Sequence, residues 1–312
     1  MTQKVDTTLI SGLIIPTNVL INGAMSIDQR NAGAAQTITA GAALAYTVDR
    51  WYGYCTGANV TGQRVSGSGS TQYRYQFTGA ASVTAIGFAQ RIEAVNSFHL
   101  AGSVATLSLD LANSLLTTVT WTAYYANTTD TFGTLATPTR TLIGTGTFTV
   151  NSTVTRYNTQ ITIPAAATTG IEIVLSVDAQ TSGTWTIGNV QLEPGRSNNN
   201  FWSRSIGTEL ALCQRYGIPL NNSSAMGRGS GTTSVTLAIP TPVVLRAAPI
   251  LSNTSVTILT KYDATAVSVG TATLNTFSID GNGALRLSIS GVTVVDNAVY
   301  WAAFSGFASS EL

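Results

Sequence analysis

The stretch QYRYQF, residues Gln72–Phe77, alternates polar and aromatic side chains without a break. Because successive side chains of an extended chain point to opposite faces, its three aromatic residues share one face, and its two glutamines and arginine share the other. A period of two over six residues is typical of a half-buried β-strand rather than a helix. This stretch therefore predicts a sheet with one face in a hydrophobic core and the other in solvent.

The same kind of pattern recurs over the first two thirds of the chain. Clusters of Gly, Asn, Ser and Pro separate the segments, as expected for turns. Helical periodicity is limited to a short turn near Gln90–Ser97. Many short strands at even spacing predict an all-β sandwich or barrel over residues 18–204. The predicted strands are Thr47–Tyr54, Val104–Leu111, Thr117–Tyr125, Gly146–Val150, Gln160–Ile163, Ile171–Val177 and Trp185–Leu192.

The sequence SIGTELALCQRY, from residue 205 to 216, interrupts the strand pattern. Thr208 is a candidate N-cap, Glu209 falls in the first turn, Arg215 falls in the last, and Gly217 follows as a stop signal. Acidic residues at the start of a helix and basic residues at its end complement the helix dipole. We expect a linking helix over residues 205–217.

Residues 218–312 return to strand patterns and predict a smaller C-terminal β domain. Gly281–Gly283 reads Gly-Asn-Gly, a strong hairpin signal. The predicted strands are Thr233–Ile239, Val256–Thr260, Ala272–Ile279, Leu285–Ile289 and Tyr300–Phe304. At the other end, residues 1–17 form a polar arm with an apolar plug at Leu13–Pro16, which either docks on a neighbouring protein or frays.

The charge content is low. Charged residues make up 9% of the 312 residues, against about 25% in an ordinary domain. With 15 basic and 14 acidic residues the net charge is +1, and no basic cluster is present to bind nucleic acid. A neutral surface rich in Thr, Ser and Gly suits a β protein that is largely covered by other subunits.

The sequence contains neither a membrane-spanning segment nor a signal peptide. No apolar run approaches the roughly 20 residues of a membrane helix, and the N-terminus lacks a signal-peptide pattern. We expect a soluble protein made in a cytoplasm, without membrane insertion.

Cys55 and Cys213 are too far apart in sequence for a CxxC motif. Two free thiols are the expected state, and a disulfide is the alternative.

The sequence contains few of the residue patterns that catalytic sites require. A Ser-His-Asp site would have to use His99, the one histidine, and no G-x-S-x-G motif supplies a nucleophile. The acidic residues are scattered singly, whereas a glycosidase needs two carboxylates in one cleft. We therefore expect no enzyme activity, no catalytic residues, no metal-ligating residues and no cofactor. A carboxylate pair assembled from distant strands or between subunits is the alternative that sequence leaves open.

Aromatic residues are the best candidates for ligand contact. Sugar rings stack on flat aromatic faces, and nearby polar groups fix their hydroxyls. The competing interpretation is that strand aromatics belong to the core. Since Tyr124 and Tyr125 are adjacent in a strand, one of them must point outward. The candidate ligand-binding residues are Trp51, Tyr54, Trp121, Tyr124, Tyr125 and Trp202.

Several segments resemble a domain that is common in bacteriophage tail-fibre and other virion proteins. NVLINGAMSIDQR (Asn18–Arg30), followed by YTVDRW (Tyr46–Trp51), resembles its opening. QRIEAVNSFHLAG (Gln90–Gly102) and TIGNVQLEPG (Thr186–Gly195) are similar to its later landmarks. Each motif alone is weak, but together they are specific.

The C-terminal third extends the resemblance. IGTELALCQRY (Ile206–Tyr216) resembles the segment that closes the domain. RAAPI (Arg246–Ile250) and the final FASSEL resemble the short β domain that often follows. The resemblance implies a jelly-roll sandwich similar to carbohydrate-binding modules, carried on a homotrimeric or otherwise repeated virion component. Such sandwiches often hold a structural calcium ion, although no local acidic loop predicts one here.

The resemblance implies a virion location but leaves the position in the particle open. Long N-terminal repeats, frequent in tail fibres, are missing, which favours a short fibre, a tip piece or a decoration protein. We expect a homotrimeric short tail fibre or tip that binds host-surface glycan and contacts other virion proteins through its N-terminal arm. The alternatives are a head-decoration or adaptor protein and, third, a depolymerase acting on capsule or lipopolysaccharide.

Overall fold

The computed structural model describes residues 18–41, 43–196, 200–221, 223–263, 265–279 and 284–312. The predicted N-terminal arm at residues 1–17 and the predicted hairpin turn at Gly281–Gly283 lie outside the described residues. The described chain is almost entirely β structure, arranged in three antiparallel sheets with two short α-helices.

The first sheet has six strands, in the spatial order β1-β4-β5-β12-β7-β10. Strand β12 lies near the centre of this sheet and pairs with β5 on one side and with β7 on the other. The strands are β1 (Gln36–Ile38), β4 (Val60–Ser66), β5 (Tyr73–Thr78), β7 (Val104–Asn113), β10 (Thr155–Thr162) and β12 (Thr184–Pro194).

The second sheet also has six strands, in the spatial order β2-β3-β6-β11-β8-β9. It packs face to face with the first sheet, and the two inner faces form the main hydrophobic core. The strands are β2 (Ala45–Tyr46), β3 (Tyr52–Thr56), β6 (Ala85–Ile92), β8 (Thr118–Ala126), β9 (Arg140–Thr149) and β11 (Ile171–Val177).

This strand order confirms the predicted jelly-roll sandwich. From β6 to β12 the chain passes repeatedly from one sheet to the other, except between β8 and β9, which pair as neighbours in the second sheet. The core contains a chain of stacked aromatic rings. Trp51 stacks on Phe88 at 4.8 Å between ring centroids, Phe88 on Tyr75 at 5.0 Å, and Phe77 on Trp185 at 5.4 Å. The aromatic face of QYRYQF thus points into the core as its alternation predicts.

The predicted strand Thr47–Tyr54 is wrong in part. A turn replaces its first half, and β3 begins only at Tyr52. Arg50 adopts a positive φ of 71°, which a continuous strand does not allow. The main-chain N–H of Thr47 donates to the carbonyl of Trp51 at 2.8 Å and closes this turn. The run of aromatic and β-branched residues concealed a tight turn held by hydrogen bonds.

The helical segments are shorter than the sequence predicts. Helix α1 spans Ala94–Ser97, within the expected short turn. Helix α2 spans Ile206–Gln214, and strand β13 begins directly at Gly217. Ser205, not Thr208, is the N-cap of α2, because its hydroxyl accepts a hydrogen bond from the N–H of Thr208 at 3.4 Å.

The third sheet contains seven strands from the C-terminal part of the chain. Its curved inner face surrounds a separate core that includes Leu237, Leu287, Tyr300 and Phe304. The strands are β13 (Gly217–Pro219), β14 (Ser223–Ser230), β15 (Ser234–Pro240), β16 (Ile250–Lys261), β17 (Thr273–Ile279), β18 (Ala284–Ser290) and β19 (Val299–Ser309).

The end of β19 joins this sheet to the sandwich. The Glu311 carboxylate pairs with Arg30 at 3.1 Å and with the fully buried Arg50. Arg246 donates to the carbonyl oxygens of Ser310 at 2.9 Å and Glu311 at 3.0 Å. We call residues Ser310–Leu312 the C-terminal anchor, because arginines from both β units hold it between them.

Two further observations concern the cysteines and the membrane. Cys55 and Cys213 are both free and buried, as expected, and they lie in different clusters of the core. Among the described residues, none of the helices has the length and apolar character needed to cross a membrane.

The C-terminal anchor yields a stability prediction. Glu311→Ala leaves Arg50 buried without a carboxylate, and removal of one partner from a buried ion pair typically costs about 3–5 kcal/mol. We expect a large fall in the free energy of unfolding, measured by chemical denaturation. The matched control is Asp263→Ala, which breaks the exposed pair between Lys261 and Asp263 and should change stability little. Equal effects of the two variants would contradict this role of Glu311.

Candidate functional site

The outer face of the second sheet carries a group of aromatic residues around one buried carboxylate. We call this group, formed by Tyr46, Tyr52, Tyr54, Tyr124 and Glu172, the tyrosine face. The four tyrosines belong to one apolar cluster on that outer face, separate from the main core. Since the opposite face of the same sheet forms the core, these side chains are the ones that strand alternation directs away from it.

Strand register explains how residues distant in sequence meet here. Glu172 pairs across β11 with Arg91 on β6 and with Tyr124 on β8. Tyr52 and Tyr54 are two residues apart on β3, so both point outward. The strands β3 and β8 are three strand spacings apart in the sheet, a distance of about 14 Å at roughly 4.8 Å per spacing.

Glu172 is the centre of a charged network. It is fully buried, and its Oε1 accepts hydrogen bonds from the Tyr52 hydroxyl at 2.5 Å and from Arg91 Nε at 2.7 Å. Its Oε2 pairs with Arg140. Because two guanidinium groups pair with this carboxylate, Glu172 is suited to hold neighbouring side chains in place.

The network fixes the aromatic rings. The guanidinium carbon of Arg140 lies 4.1 Å from the ring centroid of Tyr124, and that of Arg91 lies 5.4 Å from the ring of Tyr52. Such cation–π contacts orient both partners. Burial raises the pKa of Tyr52 above its usual value, so its hydroxyl stays protonated and donates to the carboxylate.

Tyr54 lies directly over a glycine. A Cβ atom at Gly87 would come within 2.1 Å of the Tyr54 ring, so no larger residue fits beneath it without a shift. The rings of Tyr52 and Tyr54 are 6.4 Å apart between centroids. Burial raises the pKa of Tyr54 as well, and its ring remains half-buried at the surface.

Small side chains separate the two aromatic sides of this surface. Ser176 and Thr120 follow Gly87 across the sheet in the row of Tyr54, and Thr122 lies beside Val174. Small residues leave the backbone surface low between larger rings. Side chains that carry hydroxyl groups therefore lie between Tyr54 and Tyr124 on the outer face.

The structure separates the predicted ligand-binding aromatics into groups. Tyr54 and Tyr124 lie together on the tyrosine face. Tyr125 points the other way and packs against the main core, as the opposite directions of neighbouring strand residues require.

The tryptophans Trp51 and Trp121 require a correction. Trp51 is fully buried, and its indole N–H donates to the carbonyl of Asn22 at 3.1 Å. Trp121 is 8% exposed and packs on the core side of β8 over Gly146. Both serve the core, the competing interpretation for strand aromatics, and neither offers a ring face to a ligand.

Trp202 lies apart from the tyrosine face. Its side chain is 59% exposed, and its main-chain N–H donates to the side chain of Gln191 on the outer face of the first sheet at 3.0 Å. Trp202 is therefore a surface aromatic, and the structure does not bring it to the other candidates; its contact with a ligand stays a prediction.

Sequence reasoning did not select the charged members of the site. Arg91, Arg140 and Glu172 come from three different strands, and only the sheet register brings them together. One signal was available: Glu172 stands in the otherwise apolar strand IEIVLSV, where a lone carboxylate needs a buried partner.

The next residues to consider are the one histidine and the side chains that could bind a metal ion. His99 is exposed on a helical turn, where its ring lies 6.1 Å from that of Phe98. Within the described ranges no group of three or more His, Cys, Asp or Glu residues could hold a metal ion. Asp28, in the opening motif, already accepts hydrogen bonds from Asn31 and Gly33. Both oxygens of this carboxylate are therefore engaged within its own loop.

No protein-family model matches the chain, and no curated protein matches it in sequence. The solved structures that it resembles include a carbohydrate-binding module in complex with β-1,4-galactotriose, with 13% identity, a TM-score of 0.35 and coverage of 57% of this chain and 99% of that one. A family 11 carbohydrate-binding module of Clostridium thermocellum in complex with a mixed-linked tetrasaccharide shares 14% identity over 52% of this chain and 96% of that one, with a TM-score of 0.32.

The enzymatically active domain of tailspike protein 4 of bacteriophage CBA120 is also similar in structure. It shares 16% identity over 57% of this chain and 21% of that one, with a TM-score of 0.34. At these identities and TM-scores no functional conclusion follows from the matches. The description of the fold rests on the strand order given above.

Trp121 is buried and Trp202 is exposed, and this difference leads to a prediction. Trp121→Ala removes a large side chain from the core and should lower the free energy of unfolding by about 3–5 kcal/mol. Trp202→Ala, at an exposed position, should change it by no more than about 0.5 kcal/mol. Chemical denaturation of both variants measures this contrast. A stable Trp121→Ala protein would place that side chain outside the core.

Proposed function

We propose that this chain is a glycan-binding virion component and that the tyrosine face is its binding surface. The observation that carries the proposal is the position of Tyr54 and Tyr124 on one outer sheet face, with the hydroxyl groups of Thr120, Thr122 and Ser176 between them. Aromatic rings supply the apolar contact for a sugar, and nearby polar groups fix its orientation. The virion assignment rests on the sequence motifs that resemble bacteriophage fibre proteins.

The internal network suits binding by a preformed surface. Tyr52, Arg91 and Arg140 are all held by Glu172, so the neighbouring rings lose little conformational freedom when a ligand binds. A neutral glycan fits this face, because the two arginines are already paired with the carboxylate. The proposal includes no catalytic step.

A glycan array followed by titration tests the site. Tyr54→Ala and Tyr124→Ala should each weaken binding of a retained glycan by about tenfold or more, because each removes a rigid aromatic contact. Tyr54→Phe keeps the ring and should retain most of the affinity. Phe98→Ala, at an aromatic residue that is 57% exposed on a helical turn outside the tyrosine face, is the control.

Two results would count against the site. Full binding by the double variant Tyr54→Ala/Tyr124→Ala would exclude the tyrosine face as the binding surface. A wild-type protein that retains no host-surface glycan would favour the head-decoration or adaptor function, in which the sandwich has a purely structural role.

An apolar strip on the third sheet favours assembly into an oligomer. Met226 pairs with Trp301 across β14 and β19, and their side chains are 60% and 41% exposed. Ile258 on β16 lies beside them, and Tyr262 follows at the end of that strand. Contiguous exposed apolar side chains mark interaction surfaces in soluble proteins. We propose that this strip contacts two further copies of the chain in a trimer.

Light scattering on the purified full chain tests the assembly. A trimer gives about three times the chain mass of 32.5 kDa. Trp301→Ser/Met226→Ser should lower the measured mass, because it removes apolar area from the contact. Val244→Ser, at another exposed apolar position of the C-terminal part, is the control. A monomeric wild-type protein would contradict the trimer.

A further inference from the structure

A second concave surface lies on the other side of the sandwich, on the outer face of the first sheet. It encloses about 650 Å³, within the range of 300–1,000 Å³ that is usual for small-ligand pockets. We call it the polar cleft, and its main residues are Thr71, Asp110, Arg156, Asn189 and Phe201. The whole thickness of the sandwich separates it from the tyrosine face.

The floor of the polar cleft is a rigid hydrogen-bonded group. Arg156 donates to Asp110 Oδ1 at 3.2 Å and to the hydroxyl of Ser108 at 2.7 Å. Asn189 donates to Asp110 Oδ2 at 2.8 Å and to the hydroxyl of Thr71 at 2.7 Å. These contacts link three strands and the β4–β5 turn, so the floor is formed before any ligand arrives.

A β-bulge directs Asn189 into this group. The pairing of β12 with β7 shifts register between Gly188 and Gln191, and Asn189 has a φ of 47°. The bulge interrupts an otherwise regular central strand at the position of the cleft. Bulges often re-aim a side chain at a functional site, and here the side chain meets the carboxylate of Asp110.

The charges of the polar cleft indicate the kind of ligand. Asp110 and Arg156 neutralise each other at the floor. Arg204 at the rim is paired with Glu209 at 3.2 Å. A charged ligand would therefore find no unpaired countercharge among the described lining residues. Each oxygen of the Asp110 carboxylate accepts one of these hydrogen bonds, and a carboxylate can accept about four.

Phe201 supplies the apolar wall. Its ring centroid lies 6.0 Å from the guanidinium carbon of Arg156, beside the polar floor. Ser70 and Gln72 line the opposite rim. One aromatic ring next to a carboxylate, amides and hydroxyls matches the two surfaces of a neutral sugar, whose ring carbons are apolar and whose hydroxyls both donate and accept hydrogen bonds.

We propose that the polar cleft is a second carbohydrate site that holds one or two neutral sugar units. It is independent of the tyrosine face, and both sites on one chain would let it contact two glycan segments at once. Linked contacts of this kind raise the overall affinity without any change in the individual sites.

Saturation-transfer NMR on the full chain tests the polar cleft, with the methyl glycosides of glucose, galactose, mannose and N-acetylglucosamine as probes. We expect at least one probe to bind the Tyr54→Ala/Tyr124→Ala protein. In that background, Phe201→Ala should weaken its binding by about tenfold. Ser70→Trp should do the same, because it fills the cleft without touching the hydrogen-bonded floor. Ser255→Trp, at an exposed serine of β16, is the matched control.

The outcomes separate this site from the tyrosine face. Binding that survives the tyrosine substitutions and is lost with Phe201→Ala and Ser70→Trp supports the polar cleft, even if the tyrosine face binds nothing. Binding that is unchanged in both cleft variants overturns it, even if the tyrosine face binds glycan. Failure of all four neutral probes, or a clear preference for glucuronate over them, also overturns it.

Discussion

The buried ion pair between Arg50 and Glu311 is the contact on which the arrangement of the two β units depends. The guanidinium of Arg50 stacks 3.4 Å from the ring centroid of Tyr216 and donates to the carbonyl of Arg91 at 2.6 Å. One charged side chain from the sandwich thus contacts the C-terminal anchor, the segment that follows the linking helix, and the second sheet. Because an isolated buried guanidinium is costly, this position requires a carboxylate from the end of the chain.

The segments that resemble virion proteins converge on this contact. Arg50 belongs to the YTVDRW motif, Tyr216 to the end of IGTELALCQRY, and Glu311 to the final FASSEL. Glu93, from the QRIEA segment, accepts a hydrogen bond from the Tyr216 hydroxyl at 2.6 Å. The opening motif takes part through Asn22, whose main-chain N–H donates to Glu209 on α2 at 2.5 Å. These motifs therefore record how the two β units are joined.

Arg91 connects this junction to the tyrosine face. It donates to Glu172 at 2.7 Å and to the Leu312 oxygen of the C-terminal anchor at 2.9 Å. The Tyr46 hydroxyl donates to the same oxygen at 2.9 Å. The C-terminal anchor therefore helps to orient Arg91 and Tyr46 at the edge of the tyrosine face.

The sequence predicts the fold well because alternation is a local property. Each strand such as Gln72–Phe77 carries its own two-faced pattern, and the sum of these patterns requires two packed sheets. The prediction fails at Arg50, where a tight turn closed by the hydrogen bond between Thr47 and Trp51 directs a charged side chain to a partner more than 250 positions away in the chain. The site was predicted only in part for the same reason: Tyr54 and Tyr124 are visible in the sequence as candidate aromatics, whereas the role of Glu172 follows from register across three strands.

Tryptophan exposure shows the limit of single-residue reasoning. Trp51, Trp121 and Trp202 are equally good candidates in the sequence, yet only Trp202 remains at the surface. What separates them is the neighbouring strand: glycines in β9 make room for Trp121, and Phe88 stacks on Trp51. Such complementary spaces are properties of the folded sheets and cannot be read from one strand at a time.

Hydroxyl-radical footprinting of the full chain, with and without a host-surface glycan, tests the central claim most directly, because it reports the exposure of each aromatic side chain separately. We predict that the glycan protects Tyr54 and Tyr124 while the oxidation of Tyr262 and Trp301 stays the same. Unchanged oxidation of Tyr54 and Tyr124 under conditions where the glycan is bound would contradict the assignment of the tyrosine face.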